Sequence, residues 1–148
     1  MRKWMGAAVG AAGLVVLVAG TFLPWSRSGM TYRDSYESLG VLRELGFIGN
    51  VVTVWVAMIP VAAVTIALFA LGLRRSAAIV AAILSIIVGT ISGVAAVQGA
   101  DEGDLIGIAS SGPATTTAGS ALALLGAVIV LATRRTRVAQ QRTAGGEP

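Results

Sequence analysis

Apolar positions run along this chain in four long blocks separated by short polar stretches, and that alternation predicts helices that cross a bilayer. A hydrocarbon core of about 30 Å takes about 20 apolar residues in a helix, the form that satisfies its own backbone hydrogen bonds. Residues 5–23, 51–73, 77–97 and 115–133 each meet that length without one ionisable side chain. Arg2 and Lys3 precede the first block, and Arg74 and Arg75 separate the second from the third. Asp101, Glu102 and Asp104 follow the third, and Arg134 and Arg135 stop the fourth. The expected fold is all-α: an integral membrane four-helix bundle within residues 1–133, with outer loops at 24–50 and 98–114. Residues 134–148 read as a basic, disordered cytoplasmic tail.

Basic residues in short loops favour the cytoplasmic side. Placing both termini and the Arg74–Arg75 turn inside gathers Arg2, Lys3, Arg74, Arg75, Arg134, Arg135, Arg137 and Arg142 there, eight of the 11 basic residues. Arg27, Arg33 and Arg43 are left outside. Both termini are therefore expected in the cytoplasm. A cleaved signal peptide is the competing reading of the N-terminus, because Val18-Ala19-Gly20 fits a small-residue cleavage rule. The uncharged run is long for a signal core, however, and Phe22-Leu23-Pro24-Trp25 has the look of the outer end of a span, with Trp25 at headgroup depth.

The first outer loop carries its own helix signal. Residues 26–30 read as a turn. Asp34 and Glu37 have the spacing of a capping box, Leu39, Leu42 and Leu45 recur at helical spacing, and Gly46 is a terminator. A short amphipathic helix over 35–45 is expected to lie on the outer interface or to cap the bundle. In the second outer loop Leu105-Ile106-Gly107-Ile108 is too short to span and is expected to dip into the interface, with Pro113 at the start of the fourth helix.

Composition narrows the class. Of the 148 residues 55% are hydrophobic and 12% charged, and the mean hydropathy is +0.83, which is no soluble domain. With no Cys and no His the chain has no disulfide, no thiolate nucleophile, no imidazole base and no ordinary zinc, haem or iron–sulfur ligand set. The pI near 10.7 does not indicate nucleic acid, because the cations flank apolar spans; a membrane surface is the better partner.

Inside the spans the clearest pattern is small residues at helix-packing spacing. Gly6, Gly10, Gly13 and Gly20 fall within about 80° of one helix face at 100° per residue. Ala77, Ala81, Ser85, Gly89 and Gly93 form a ladder in the third span, and Gly119, Ala123 and Gly126 one in the fourth. Such faces let backbones approach closely, either within the chain or against a partner. Pro60 cannot donate to the Val56 carbonyl and predicts a kink. Thr53, Thr65, Thr90, Ser92 and Ser120 are hydrogen-bonding glue. The acidic group at 101–104 lacks the ligand spacing of a calcium loop and reads as a solvated turn. Trp25, Arg74, Arg75, Arg134 and Arg135 are expected anchors at the membrane interfaces, and the tail arginines can also attract anionic lipid.

Phe22-Leu23-Pro24-Trp25, Arg27-Ser28-Gly29, Arg33, Ser35-Tyr36-Glu37 and Leu42-Arg43-Glu44-Leu45-Gly46 resemble the first outer loop of small four-span membrane proteins common in actinobacteria. The resemblance implies a bacterial cell membrane and brings no catalytic residue, because that group has no established activity.

Ionisable residues within spans mark ion paths, proton relays and substrate sites, and these spans have none. The expectation is a non-enzymatic accessory or scaffold protein that binds other membrane proteins or itself through Gly6, Gly10, Gly13, Ser85, Gly89, Gly93, Gly119 and Gly126, with no cofactor, metal or nucleic acid. The alternative is a small oligomeric transporter or channel for an uncharged or weakly polar solute. Spans one and two do not repeat in spans three and four, which removes one common mark of transporters. An interfacial enzyme built on Asp34 or Glu37 would lack a partner base, metal or nucleophile.

Overall fold

The computed structural model describes residues 2–28, 31–44, 51–98, 106–109 and 111–144. Helix α1 (Arg2–Thr21) is followed by strands β1 (Ser26–Ser28) and β2 (Thr31–Arg33) and helix α2 (Ser35–Glu44). Then come α3 (Val51–Ala70), α4 (Arg74–Gln98), strand β3 (Ile106–Ile108) and α5 (Ser111–Ala144). The chain is mostly helical, and three helices are long and apolar enough to cross a membrane: Trp4–Thr21, Arg74–Val97 and Ser111–Thr133. Helix α3 contains a shorter apolar stretch, Trp55–Ala70.

Local chemistry explains where the helices stop. Pro24 ends α1 early, since its ring disfavours helical geometry in the residue before it. The last turn is tightened by Phe22 N donating to Ala19 O and Leu23 N to Gly20 O. Helix α3 closes on Gly72, which adopts φ 83°. There Leu73 N donates to Leu68 O and Gly72 N to Phe69 O, a Schellman motif that only a residue tolerant of left-handed geometry completes cheaply. Helix α4 then starts at Arg74, so the arginine pair opens α4 rather than following α3. Helix α5 begins at Ser111, ahead of the expected 115. Pro113 sits in its first turn, where its missing N–H costs nothing. Helix α5 also continues through Ala144, so residues 134–144 are helical where a disordered tail was expected.

Packing in the interior is built on glycine. Along α1 and α5 the neighbours run in opposite directions without a slip. Gly6 meets Ile129 and Val130, Gly10 meets Gly126, Gly13 meets Ala123, Leu17 meets Gly119 and Gly20 meets Thr116. A Cβ added at Gly13, Gly119 or Gly126 would collide with the backbone of the opposing helix, and at Gly6 it would stand 2.9 Å from Ile129 Cγ2. Leu14 and Leu17 are fully buried beside this seam. Helix α4 packs antiparallel on the neighbouring side of α5. A Cβ added at Gly89 would stand 3.0 Å from Ser120 Cβ, and Thr117 Oγ1 donates to Ser92 Oγ at 2.9 Å. Helix α3 reaches the seam through Phe69, whose ring lies 3.3 Å from the position of a Cβ on Gly10.

These directions bring the start of α1, the α3–α4 turn and residues 129–133 of α5 to one end. A three-stranded sheet lies at the other, a departure from the all-α expectation. Its order is β2-β1-β3 and both pairings are antiparallel: Ser26 opposes Arg33 and Ile108, and Ser28 opposes Thr31 and Ile106. The expected turn at 26–30 is thus the start of a hairpin, and Ile106–Ile108 pairs with the first loop instead of dipping alone into the interface. Strands this short have no periodicity to read, and the β1 and β3 partners lie about 80 residues apart.

Overpacking a close seam costs about 1–3 kcal/mol. Gly13→Ala is therefore expected to lower the melting temperature of the detergent-solubilised chain. Gly93→Ala, whose Cβ would meet only Thr117 Cγ2 at 4.0 Å, is expected to be neutral or to raise it, since alanine is favoured over glycine in a helix by up to about 1 kcal/mol. The reverse order would refute the α1–α5 seam.

Candidate functional site

Polar side chains from different elements converge at the sheet end, and the convergence starts at Trp25. Once Pro24 has ended α1, the chain turns back over the last helical turn, and the Trp25 indole N–H donates to Gly20 O at 3.0 Å. The Trp25 ring meets that of Trp55 edge-on, with centroids 5.4 Å apart. Its backbone N–H donates to Arg33 O at 2.8 Å, and its carbonyl accepts from Ala109 N at 3.0 Å. Gly112 lies so close to the ring that a Cβ there would collide with it, and Gly112 N donates to Pro24 O. One residue thus touches α1, β2, α3 and the start of α5. It is half-buried, held in the cap as well as standing where a headgroup-level tryptophan was expected.

Helix α2 forms where the capping signal predicts it. Asp34 Oδ1 accepts from Glu37 N at 2.9 Å, which satisfies one of the first-turn donors. The helix rests on the protein rather than lying apart from it. Buried Ser35 donates through Oγ to Thr21 O at 2.7 Å and accepts from Trp55 Nε1 at 3.2 Å. The Tyr36 hydroxyl shares a 3.1 Å hydrogen bond with Thr21 Oγ1, and its ring lies 5.3 Å from that of Phe22. Ser26 and Ser38 hydroxyls share another at 2.8 Å, tying β1 to α2. Burial pushes the Tyr36 phenol above its ordinary value near 10; the bond to Thr21 works against this and the charge of Asp34 adds to it.

The small residues singled out in the sequence lie elsewhere. Gly6, Gly10, Gly13, Gly119 and Gly126 all belong to the α1–α5 seam. Ser85 is buried, and Gly89 faces Ser120. Gly93 is only loosely approached. Span hydroxyls mostly turn back on their own helices, as with Thr65 to Val61 O, Thr90 to Ile86 O and Ser120 to Thr116 O. Ser85 Oγ and Thr116 Oγ1 are buried without a hydrogen-bond partner. At the opposite end the Arg74 guanidinium lies 4.0 Å from the centre of the Trp4 ring, while Arg75 is exposed. The side chains of Arg134 and Arg135 and the group at 101–104 lie outside the described residues.

Thr21, Ser35, Trp55 and Gly112 were not singled out as cap residues. Only Gly112-Pro113, next to a helix start, left a local sign. Chemically the cap is nearly closed: its indoles and the hydroxyls of Thr21, Ser26, Ser35, Tyr36 and Ser38 pair with one another or with backbone carbonyls, and only Thr116 Oγ1, beside Gly20, lacks a partner among the described residues around them. Among the described residues no group of three or more His, Cys, Asp or Glu could hold a metal. Compared with protein families, curated proteins and solved structures, the chain matches none.

A phenol whose pKa is higher folded than unfolded contributes stability that is complete below the unfolded value near 10 and is lost as pH rises through the folded value. Tryptophan fluorescence should therefore report loosening of the cap above about pH 10, and Tyr36→Phe should remove that component. An unchanged alkaline profile in the variant would place the titrating group elsewhere.

Proposed function

We propose that this chain is a multi-pass protein of the bacterial cell membrane, crossing four times with both termini cytoplasmic. We further propose that it serves as a non-enzymatic accessory or scaffold protein for membrane partners or further copies of itself. The four-span reading draws on α3, whose 20 residues match the bilayer core in length, and on the shared end reached by the α1 start, the α3–α4 turn and α5. That end carries most of the basic residues, hence the cytoplasmic assignment. The observation carrying the scaffold reading is that most span and cap polar groups, the Ser85 and Thr116 hydroxyls excepted, are spent on the protein itself, which leaves surfaces rather than a reaction centre.

The seam between α1 and α5 is already occupied, so association falls to another face. Helix α3 offers one. Ala57, Pro60, Ala63, Ala67 and Ala70 are exposed on it, interleaved with exposed Val56, Val61 and Val64, and Pro60 deprives the Val56 carbonyl of its helical donor. Helix α4, in contrast, exposes bulky Ile79, Ile83, Ile86, Ile87 and Ile91, a surface suited to lipid tails. The transporter reading retains one point in its favour, the unpartnered hydroxyls of Ser85 and Thr116. Flux of small uncharged solutes into liposomes bearing the purified chain would establish it.

Two tests follow from the scaffold reading. Reporter fusions after Arg75 and at the C-terminus should be active only as cytoplasmic reporters, and fusions at Gly29 and Gly103 only as exported ones; an exported C-terminus overturns the topology. Crosslinking in native membrane should trap a homodimer or a defined membrane partner, and Ala63→Leu with Ala67→Leu should abolish that band while leaving the melting temperature unchanged. A chain that stays monomeric and without partners after crosslinking would rule the scaffold out.

A further inference from the structure

Helix α3 is anchored at two places and interrupted between them. Near the cap, buried Trp55 donates through Nε1 to Ser35 Oγ of α2 at 3.2 Å and meets the Trp25 ring edge-on. Toward the other end buried Phe69 packs against Gly10 of α1, and the Gly72 turn leads directly into α4. Pro60 stands between these anchors. The helix continues through it, but the Val56 carbonyl finds no N–H four residues on, so one rung of the backbone ladder is missing. Met58, the other buried side chain described on the cap side of that gap, is unbranched and can change shape without losing contact.

Ser35 is the joint between this helix and α2. Its single buried hydroxyl donates to Thr21 O at 2.7 Å and accepts the Trp55 indole. Elsewhere α2 is tied down by the Tyr36 bond to Thr21 and the Ser38 bond to Ser26. Elements held by a few hydrogen bonds near the surface open as units, at lower free energy than a packed core. Whatever is bonded to such a unit moves with it as far as the next weak point in the backbone, which in α3 is Pro60. We propose that Pro60 is a hinge: residues 51–59 of α3 open and close together with α2 through the Ser35–Trp55 bond, while residues 61–70 stay with the bundle. Displacing α2 then re-aims Val56 and Ala57 relative to Ala63, Ala67 and Ala70 on the outward side of the same helix. The cap thereby sets the shape of a surface on the apolar part of the molecule. Use of that surface by a partner rests on the scaffold reading above; the coupling of α2 to α3 does not.

The test follows backbone amide hydrogen exchange by mass spectrometry on the full chain in detergent. Ser35→Ala removes the shared hydroxyl with little change in volume. Exchange should quicken by about fivefold, as for the loss of one hydrogen bond, in both 35–44 and 51–59, with 61–70 unchanged. Trp55→Phe, which keeps a ring beside Trp25 and loses the indole donor, should quicken the same two segments, and it decides the matter should Ser35→Ala fail to fold. Pro60→Ala gives the Val56 carbonyl a donor, and in that background Ser35→Ala should quicken 35–44 alone. Ser92→Ala breaks the link to Thr117 inside the bundle and should leave 35–44 and 51–59 at their original rates. Quickening confined to 35–44 in the otherwise unaltered chain, or equal on both sides of Pro60, would overturn the proposal, as would a Pro60→Ala background in which 51–59 still follows α2. Failure of the scaffold reading would show itself separately, as a chain with this exchange pattern that crosslinks to nothing in native membrane.

Discussion

Backbone contact between α1 and α5 is the constraint on which the rest of the molecule depends. In lipid there is no hydrophobic gain from bringing two apolar helices together, so association must come from close packing and hydrogen bonds. Glycine at Gly13, Gly119 and Gly126 removes the side chains that would hold the helices apart. The cost is a weaker intrinsic preference for helix, up to about 1 kcal/mol per glycine relative to alanine in water. The first and last long helices of the chain thereby become direct neighbours, and α4 adds to the open side of α5 through Gly89, Ser92, Thr117 and Ser120.

The cap is a consequence of that seam. Because Gly20 and Thr116 are in contact, the exit of α1 and the entry of α5 lie side by side. The chain leaving one can therefore pair with the chain entering the other. Strand β3 joins β1, Ala109 binds the Trp25 carbonyl and Gly112 closes against the Trp25 ring. Trp55 completes the set from α3, so the two connections at this end are one structure. The Trp25 and Trp55 indoles and the Thr21, Ser35 and Tyr36 hydroxyls each find a partner in another element, and that mutual satisfaction lets polar groups be buried where the spans end.

The same seam has a bearing on how such a protein could meet others. Small-residue faces are interchangeable as sequence: a glycine stripe serves an internal seam or a foreign helix equally well. Here α1 and α5 use theirs on each other. What remains outward differs between the helices, with bulky isoleucines on α4 and alanines, a proline and valines on α3.

Much of this was legible in the residues themselves. The long helices follow from uninterrupted apolar runs and α2 from Asp34 and Glu37 at cap spacing, whereas the α3 stop before Gly72 was not read, the span being expected to run to 73. The signals that were read are local, governed by a residue and its neighbours within a turn or two. The glycine faces were visible as stripes, but which stripe met which was not, because the α1–α5 antiparallel register depends on residues roughly 100 positions apart. Trp25 read as an interface anchor because a tryptophan beside a proline after an apolar run has that meaning locally; its contacts with Trp55 and Gly112 exist only once three helices have assembled. The sheet was decided wholly by tertiary structure. Three-residue strands carry no periodic pattern, and Ser26–Ser28 pairs with Ile106–Ile108 because the close approach of α1 and α5 delivers the two segments to the same place.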